Sequence, residues 1–173
     1  MNIAYTIAPG RGDTDLLLQG LADRLAALGI RTCGTVQINS ERADAGPCDM
    51  DIRVLPAGPV LRISQALGAH ARGCRLDPAM LEQAVGLSEA ELARGADILI
   101  VNKFGKHEAE GRGFRMLIAE ALEAGIPVLV GLNRLSRDAF DAFTQGLAID
   151  LPPTDQALLD WAQDALALQV SGD

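Results

Sequence analysis

The chain of 173 residues carries a formal net charge of −8, an apolar share of 49% and an aromatic share of only 3%. A chain of this length buries roughly 70% of its unfolded surface in one domain, and aliphatic cores favour α/β layers over a β-sandwich. The acidic charge opposes binding to nucleic acid and anionic lipid, and we find no apolar run of the roughly 20 residues that a membrane span requires.

These properties predict one domain over residues 1–173, located in the cytoplasm, with no nucleic-acid or membrane partner. The first residues have no basic n-region typical of a signal peptide. Cys33, Cys48 and Cys74 are odd in number and widely spaced, which favours reduced thiols over a disulfide framework.

In chain order, strand patterns alternate with helical spacing of apolar residues. Strands are predicted at residues 2–8, 30–38, 51–55, 97–101, 127–130 and 147–151. Helices are predicted at residues 16–28, 78–94, 113–124, 136–144 and 154–169. We expect the second helix to break at Gly86 and to restart at a capping box of Ser88 and Glu91, and Thr154 to cap the last helix. Residues 39–49 read as a surface loop, and residues 56–77 show no regular pattern.

Alternating strands and helices predict a three-layer αβα fold with a mostly parallel sheet, which binds ligands at the carboxyl ends of its strands. The turn after the first strand reads Ile7-Ala8-Pro9-Gly10-Arg11-Gly12-Asp13-Thr14. Compared with the phosphate-binding motif G-x-x-x-x-G-K-[ST], Gly12 and Thr14 match, whereas Ile7 replaces the first glycine and Asp13 replaces the lysine. At an effective dielectric of about 20, a lysine attracts a phosphate charge about 4 Å away by about 4 kcal/mol, whereas the Asp13 carboxylate would repel it by a similar amount.

Residues 102–115 concentrate positive charge directly after the strand at residues 97–101. Both lysines of the chain, Lys103 and Lys106, lie in this segment, together with Arg112, Arg115 and one of the two histidines. This segment predicts a local electropositive site in an otherwise acidic chain.

The same segment resembles nucleoside triphosphatases related to adenylate kinases, whose Walker B strand ends in Asp-Glu and is followed by Gly-Lys and an acidic residue. Gly105, Lys106 and Glu108 match that pattern. Asn102 and Lys103 stand where the resemblance implies a magnesium-binding Asp and a water-activating Glu. The resemblance covers about three-quarters of the chain and implies a P-loop-like fold with degenerate Walker motifs.

A closer resemblance is to a bacterial family of unknown function that shares the sequence Asn-Lys-Phe-Gly-Lys, found here at residues 102–106. Genes of that family often lie beside molybdate-uptake genes. This resemblance implies a role in the handling of molybdate or tungstate.

The leading hypothesis is a non-hydrolytic binding protein for a small oxyanion, such as molybdate, tungstate or phosphate, or for the phosphate of a nucleotide. The candidate ligand-binding residues are Gly10, Arg11, Gly12, Asp13, Thr14, Asn102, Lys103, Lys106, Gly111, Arg112 and Gly113. In this interpretation Lys106, Arg112 and the glycine backbone hold an anion at the start of the following helix. We expect Glu108 to restrain Lys106 or Arg112.

Two other functions stay open. The first is a weak nucleoside triphosphatase in which Lys103 or Lys106 replaces the missing lysine. The second is a structural adaptor in which Asp13 only caps its helix or forms an ion pair with Lys103.

The sequence predicts no catalytic residue and no metal site, and it identifies no cofactor. His70 and Cys74 are four residues apart, but two ligands do not form a metal site. Trp161 belongs to the last helix and either docks on the sheet or contributes to a homo-oligomer contact.

Overall fold

The computed structural model describes residues 2–40, 49–65 and 76–170. Within these ranges the chain forms seven strands: β1 (Ile3–Thr6), β2 (Thr32–Ser40), β3 (Asp49–Val54), β4 (Val60–Arg62), β5 (Ile98–Phe104), β6 (Val128–Leu132) and β7 (Ile149–Leu151). The same ranges contain six α-helices: α1 (Asp13–Ala27), α2 (Pro78–Ala93), α3 (Lys106–Ala109), α4 (Arg115–Glu123), α5 (Arg137–Thr144) and α6 (Asp155–Val170). A 3₁₀ turn lies at Arg134–Ser136.

The strands form one sheet in the order β4-β3-β2-β5-β6-β1-β7. The five strands from β2 to β7 in this order are parallel, whereas β3 and β4 are antiparallel additions at one edge. This arrangement confirms the predicted mostly parallel sheet. It also brings the carboxyl ends of β1, β5 and β6 side by side, because β6 pairs with both of the other strands.

Two apolar cores cover the two faces of the sheet. Strand side chains point alternately to either face, so Tyr5 and Val101 belong to one core and Ala4 and Ile100 to the other. The first core is closed by α2, α4 and α5, and the second by α1 and α6. The predicted three-layer architecture is therefore confirmed.

Local sequence accounts for most of these elements. All five residues of β6 are buried, as expected for the apolar run of a parallel strand covered on both faces. Helix α1 buries Leu18, Leu21 and Leu25 on one face. Gly29 follows its end with a φ of 77°, a left-handed conformation that glycine adopts without a steric penalty.

Several predicted boundaries were wrong. Helix α2 continues through Gly86, and Ser88 lies inside it with its hydroxyl donating to the Ala84 carbonyl at 2.8 Å. The predicted break and restart therefore do not occur. Residues 56–77 include β4, and β5 continues past Val101 as far as Phe104.

Candidate functional site

The turn between β1 and α1 is held by a contact across its base. The Thr14 hydroxyl oxygen accepts a hydrogen bond from the Ala8 N–H at 3.1 Å. Gly12 has a φ of 85° and is the N-cap of α1. Asp13 is therefore the first residue of the helix rather than its N-cap, so the alternative in which Asp13 only caps the helix was wrong.

The Asp13 side chain is exposed and lies over Gly10. A Cβ atom placed on Gly10 would come within 2.1 Å of Asp13 Oδ2, so a larger residue would displace the carboxylate. Both Asp13 and Lys103 belong to the described part of the chain, and no ion pair joins them. The predicted Asp13–Lys103 pair was therefore wrong.

A different polar pair lies beneath this turn. Asn102 on β5 and Asp15 on α1 are 4% and 6% exposed. The Asn102 amide nitrogen donates to Asp15 Oδ1 at 2.9 Å, and the Asn102 amide oxygen accepts from the Gln37 N–H at 2.8 Å. The pair joins α1, β5 and β2 under the site. Sequence analysis identified Asn102 as a candidate residue but missed Asp15, although Asp15 directly follows the motif residue Thr14.

An irregularity in β5 interrupts the alternation of its side chains directly after Asn102, since Val101 and Phe104 are three residues apart and face the same core. The register between β5 and β6 shifts between Val101 and Phe104, and at this point Asn102 is buried while the next residue, Lys103, is exposed. Gly131 on β6 lies against the shift, since a Cβ atom there would come within 2.1 Å of the Asn102 carbonyl oxygen. Strand irregularities of this kind often re-aim side chains at functional sites.

A cavity of about 380 Å³ opens at the carboxyl ends of β1, β5 and β6. Its walls include three basic side chains, Arg11, Lys103 and Arg134, and one acidic side chain, Asp15, which is hydrogen-bonded to Asn102. The predicted residues that line it are Gly10, Arg11, Gly12, Thr14, Asn102 and Lys103. The site is thus locally electropositive although the whole chain is acidic.

Asn133 and Arg134 are lining residues that sequence analysis missed. Both residues directly follow β6, the strand between β1 and β5. Their position after a buried strand could therefore have identified them from the sequence. Asn133 caps the 3₁₀ turn, because its side-chain oxygen accepts from the Ser136 N–H at 2.9 Å. This contact fixes the segment from which Arg134 enters the cavity wall.

The loop after β5 is organised by a buried glutamate. Glu108 is 4% exposed, and its two carboxylate oxygens accept from the Gly105 N–H at 2.9 Å and the Phe114 N–H at 3.2 Å. The Gly113 N–H donates to Glu82 on α2 at 3.0 Å. Carboxylates of the chain itself therefore occupy the positions at the start of α4 where an external anion was expected.

Lys106 and Arg112 are paired with Glu110 rather than with Glu108. The Lys106 ammonium lies 3.7 Å from Glu110 Oε1, and the Arg112 guanidinium donates to Glu110 Oε2. The pKa of Glu110 lies below its usual range chiefly because of the hydrogen bond from Arg112, and the charge of Lys106 acts in the same direction. The expectation that Glu108 restrains these cations was wrong.

Other sequence-based predictions concern residues outside this site. Within the described ranges, no group of three His, Cys, Asp or Glu side chains is placed to hold a metal ion, while His70, Cys48 and Cys74 lie outside those ranges.

Cys33 is a free thiol whose pKa is raised to about 12 by burial, so it stays protonated and unreactive. Trp161 packs against the core formed by α1 and α6, and none of the described helices has the length and hydropathy to cross a membrane.

Comparisons with known proteins identify the family of this chain. A family model described as a protein of unknown function, DUF2478, matches residues 3–161. The chain belongs to the DUF2478 family. The predicted resemblance to a family of unknown function is thereby confirmed.

One relative of this DUF2478 chain is the molybdenum import ATP-binding protein ModC 2 of Bradyrhizobium diazoefficiens, which is 36% identical over 162 residues. The match covers 94% of the chain but only 18% of the relative's length. The DUF2478 chain also resembles the solution structure of a human cancer-related nucleoside triphosphatase, with a TM-score of 0.61, 18% identity and full coverage of both chains. The predicted P-loop nucleoside-triphosphatase-like fold is therefore confirmed.

Proposed function

We propose that this protein is a non-hydrolytic binding protein that holds the oxyanion head group of a small ligand at the turn between β1 and α1. The head group is a phosphate, including the phosphate of a nucleotide, or a tetrahedral oxyanion such as molybdate or tungstate. The ligand contacts come from the backbone of Gly10 to Gly12 and from Arg11, Lys103 and Arg134.

The observation that carries the proposal is the convergence of donors in the cavity of about 380 Å³. The backbone N–H groups of Arg11 and Gly12 have no hydrogen-bond partner within the described part of the chain, and they lie at the N-terminus of the 15-residue helix α1. Such N–H groups and the helix dipole favour an anion. Three basic side chains add positive charge to the same wall.

The fold and the relative support an oxyanion, but the residues do not suit a magnesium-bound triphosphate. The fold is that of a nucleoside triphosphatase, and the ModC 2 relative is named for molybdenum import. A magnesium triphosphate site needs a lysine and a metal-binding carboxylate, whereas this chain has Asp13 and the amide of Asn102 at the matching positions. A compact oxyanion or a monophosphate places less negative charge near Asp13.

Calorimetric titration of the wild-type protein with phosphate, molybdate, tungstate, AMP and ATP tests the proposal. We expect at least one of these anions to bind, and the Lys103→Ala and Arg134→Ala variants each to bind it about tenfold more weakly, which corresponds to about 1.4 kcal/mol. This loss is near the lower end for hydrogen bonds to charged groups, as suits exposed side chains.

Arg24→Ala is the matched control, because it removes one exposed positive charge near the other end of α1, about 16 Å along the helix from its first residue at 1.5 Å per residue. This variant should bind the same anion with wild-type affinity. If no anion binds, or if all three variants lose affinity equally, the site is not at this turn.

A further inference from the structure

A second and larger cavity adjoins the first along the same edge of the sheet. It has a volume of about 650 Å³, within the range of roughly 300–1,000 Å³ that is typical of small-molecule sites. Apolar side chains line much of it: Met50, Ile52, Ile63, Leu76, Leu81 and Phe114. A bare oxyanion has no chemistry that matches such a surface.

The two cavities share one wall. Arg11, Asn102, Lys103 and Asn133 line both of them. Lys103 is exposed, and no salt bridge joins it to the described residues, so its ammonium group is available at the junction. One molecule that enters both cavities can therefore place its charge beside Lys103 and its apolar part against Met50 and Leu76.

Charge is distributed unevenly around the larger cavity. At its outer rim, the two positive charges of Lys106 and Arg112 are balanced by two carboxylates: Glu110, which pairs with both cations, and Glu108, which also lines the cavity. Its inner wall contains the neutral side chains of Thr35 and Gln37, which are buried. The unpaired positive charge is thus confined to the junction with the first cavity, so an occupant with one anionic end and an uncharged apolar body is electrostatically complementary.

We propose that the natural ligand is an organic anion, with a phosphate-type head group in the first cavity and an uncharged apolar body in the second. This inference rests on the proposed function and narrows its ligand class from free oxyanions to organic phosphates. Burial of the body against the apolar wall adds affinity that inorganic phosphate does not gain.

Three probes separate head group from body: 1-naphthyl phosphate has both parts, inorganic phosphate has the head alone, and 1-naphthol has the body alone. In calorimetric titrations of the whole chain, 1-naphthyl phosphate should bind at least about tenfold more tightly than either of the other two. Equal affinity for 1-naphthyl phosphate and inorganic phosphate, or failure of both to bind, would overturn the inference. The proposed function itself would be overturned only if molybdate, tungstate, AMP and ATP also failed to bind.

Variants locate the body of the probe. Met50→Trp and Leu76→Trp each place a bulky side chain in the larger cavity, at half-buried positions that do not line the first. Each should abolish the tenfold advantage of 1-naphthyl phosphate while leaving the affinity for inorganic phosphate unchanged. Two such variants are used so that misfolding of one, detected by thermal unfolding, still leaves the test intact.

The matched control is Ala119→Trp, which fills a separate cavity of about 320 Å³ lined by residues of α4 and α5. This variant should retain the tenfold advantage. Loss of the advantage in Ala119→Trp, or its persistence in both Met50→Trp and Leu76→Trp, would contradict binding in the larger cavity. Lys103→Ala should weaken both phosphate probes, because its ammonium group contacts the head group that they share.

Discussion

The amide of Asn102 and the carboxylate of Asp15 form a buried polar pair directly beneath the proposed anion site. A buried carboxylate costs free energy unless hydrogen bonds compensate for its lost hydration. Here the compensation includes a neutral amide, which leaves the Asp15 charge in place under a site that also contains three cations. The pair therefore joins the sheet to α1 and also reduces the positive charge beneath the ligand.

Exchange of the two side chains tests this pairing. Asn102→Asp alone places two carboxylates at a separation of about 2.9 Å, and like charges in a buried site are strongly unfavourable. We expect a loss of about 3 kcal/mol in the free energy of unfolding, comparable with the breaking of a buried ionic contact. The double variant Asp15→Asn with Asn102→Asp restores one amide and one carboxylate and should recover most of this loss. Chemical denaturation at pH 7 measures both variants.

The pH dependence of the single variant Asn102→Asp provides a control. The carboxyl group introduced at position 102 should have a raised pKa in the folded state, because a second negative charge lies beside it and its neutral form can donate a hydrogen bond. The folded state then binds a proton that the unfolded state has released, so the stability loss should shrink as the pH falls from 7 to 5. Equal losses at both pH values, or additive losses in the double variant, would show that the side chains do not interact.

At the scale of whole elements, Glu108 determines the path of the chain from β5 to α4. Its carboxylate accepts hydrogen bonds from the backbone on both sides of α3, at Gly105 and Phe114. The space for this carboxylate depends on Gly113, where a Cβ atom would come within 2.2 Å of Glu108 Oε1. The loop is thus held in place by hydrogen bonds to its own buried carboxylate, and this conformation places Lys106 and Arg112 at the rim of the larger cavity.

Glu108→Ala should destabilise the fold by about 3 kcal/mol, because it leaves two backbone N–H groups without their acceptor at about 1–3 kcal/mol each. Glu108→Gln keeps one of the two acceptor oxygens and should lose less. Urea denaturation measures these differences, and Glu89→Ala, at an exposed position on α2, serves as the control with an expected change below about 0.5 kcal/mol. Equal stability of Glu108→Ala and Glu89→Ala would contradict this role.

The arrangement of elements was largely predictable because buried parallel strands have a strong sequence signal. Residues 97–101 and 127–130 are nearly uninterrupted apolar runs, and all but the first residue of each lie in β5 and β6. The polar residues Asn102 and Lys103 concealed the last part of β5, because a change in strand register rather than a turn accommodates them. β4 has only three residues, too few for a periodic pattern.

The error at Gly86 has a physical explanation. Glycine in a helix costs only about 1 kcal/mol relative to alanine, and the position at Gly86 is open to solvent, with nothing within 4 Å of an added Cβ atom. Apolar contacts with the first core continue on both sides of this point, from Val85 before it and from Leu87 and Leu92 after it. Tertiary packing therefore outweighed the local propensity.

The site was predictable only in outline. The glycine-rich turn and Lys103 were identified from their position at the predicted ends of strands, and Gly10, Arg11, Gly12, Thr14 and Lys103 line the cavity. Asp15 and Arg134 were missed because only the order of strands in the sheet, which places β6 between β1 and β5, brings them to the same point. The pairing of Lys106 and Arg112 with Glu110 was equally hidden, since the acidic residues in this loop were equivalent candidates by sequence spacing.

At the scale of the whole molecule, the net charge of −8 and the basic cavity act in opposite directions on an approaching anion. The distant acidic groups are screened over about 8–10 Å at physiological ionic strength, whereas the cavity cations act at contact distance. We therefore expect the local site to determine anion binding and the acidic surface to oppose association with nucleic acid. This balance favours small anions over polyanions.

The same balance of charges leads us to expect no efficient hydrolysis of ATP or GTP. Phosphoryl transfer depends on positive charge around the transferred phosphoryl group and on a positioned water molecule. This chain has Asp13 at the position of the motif lysine and Asn102 and Lys103 at the positions of the two Walker acids. The buried Asp15 carboxylate is hydrogen-bonded to Asn102, which commits it to a structural contact.

Lys103 is the one lysine that lines the first cavity, at the carboxyl ends of β1, β5 and β6. Any remaining turnover would therefore depend on this residue. Release of phosphate from ATP and GTP, measured with excess magnesium, should stay well below about 1 s⁻¹, the lower end of turnover by competent enzymes. Asp13→Lys should not restore that rate, because both Walker acids are still replaced. Turnover near 1 s⁻¹ that disappears in Lys103→Ala would establish instead a nucleoside triphosphatase in which Lys103 supplies the missing positive charge, while turnover that survives in Lys103→Ala would point to a contaminating enzyme.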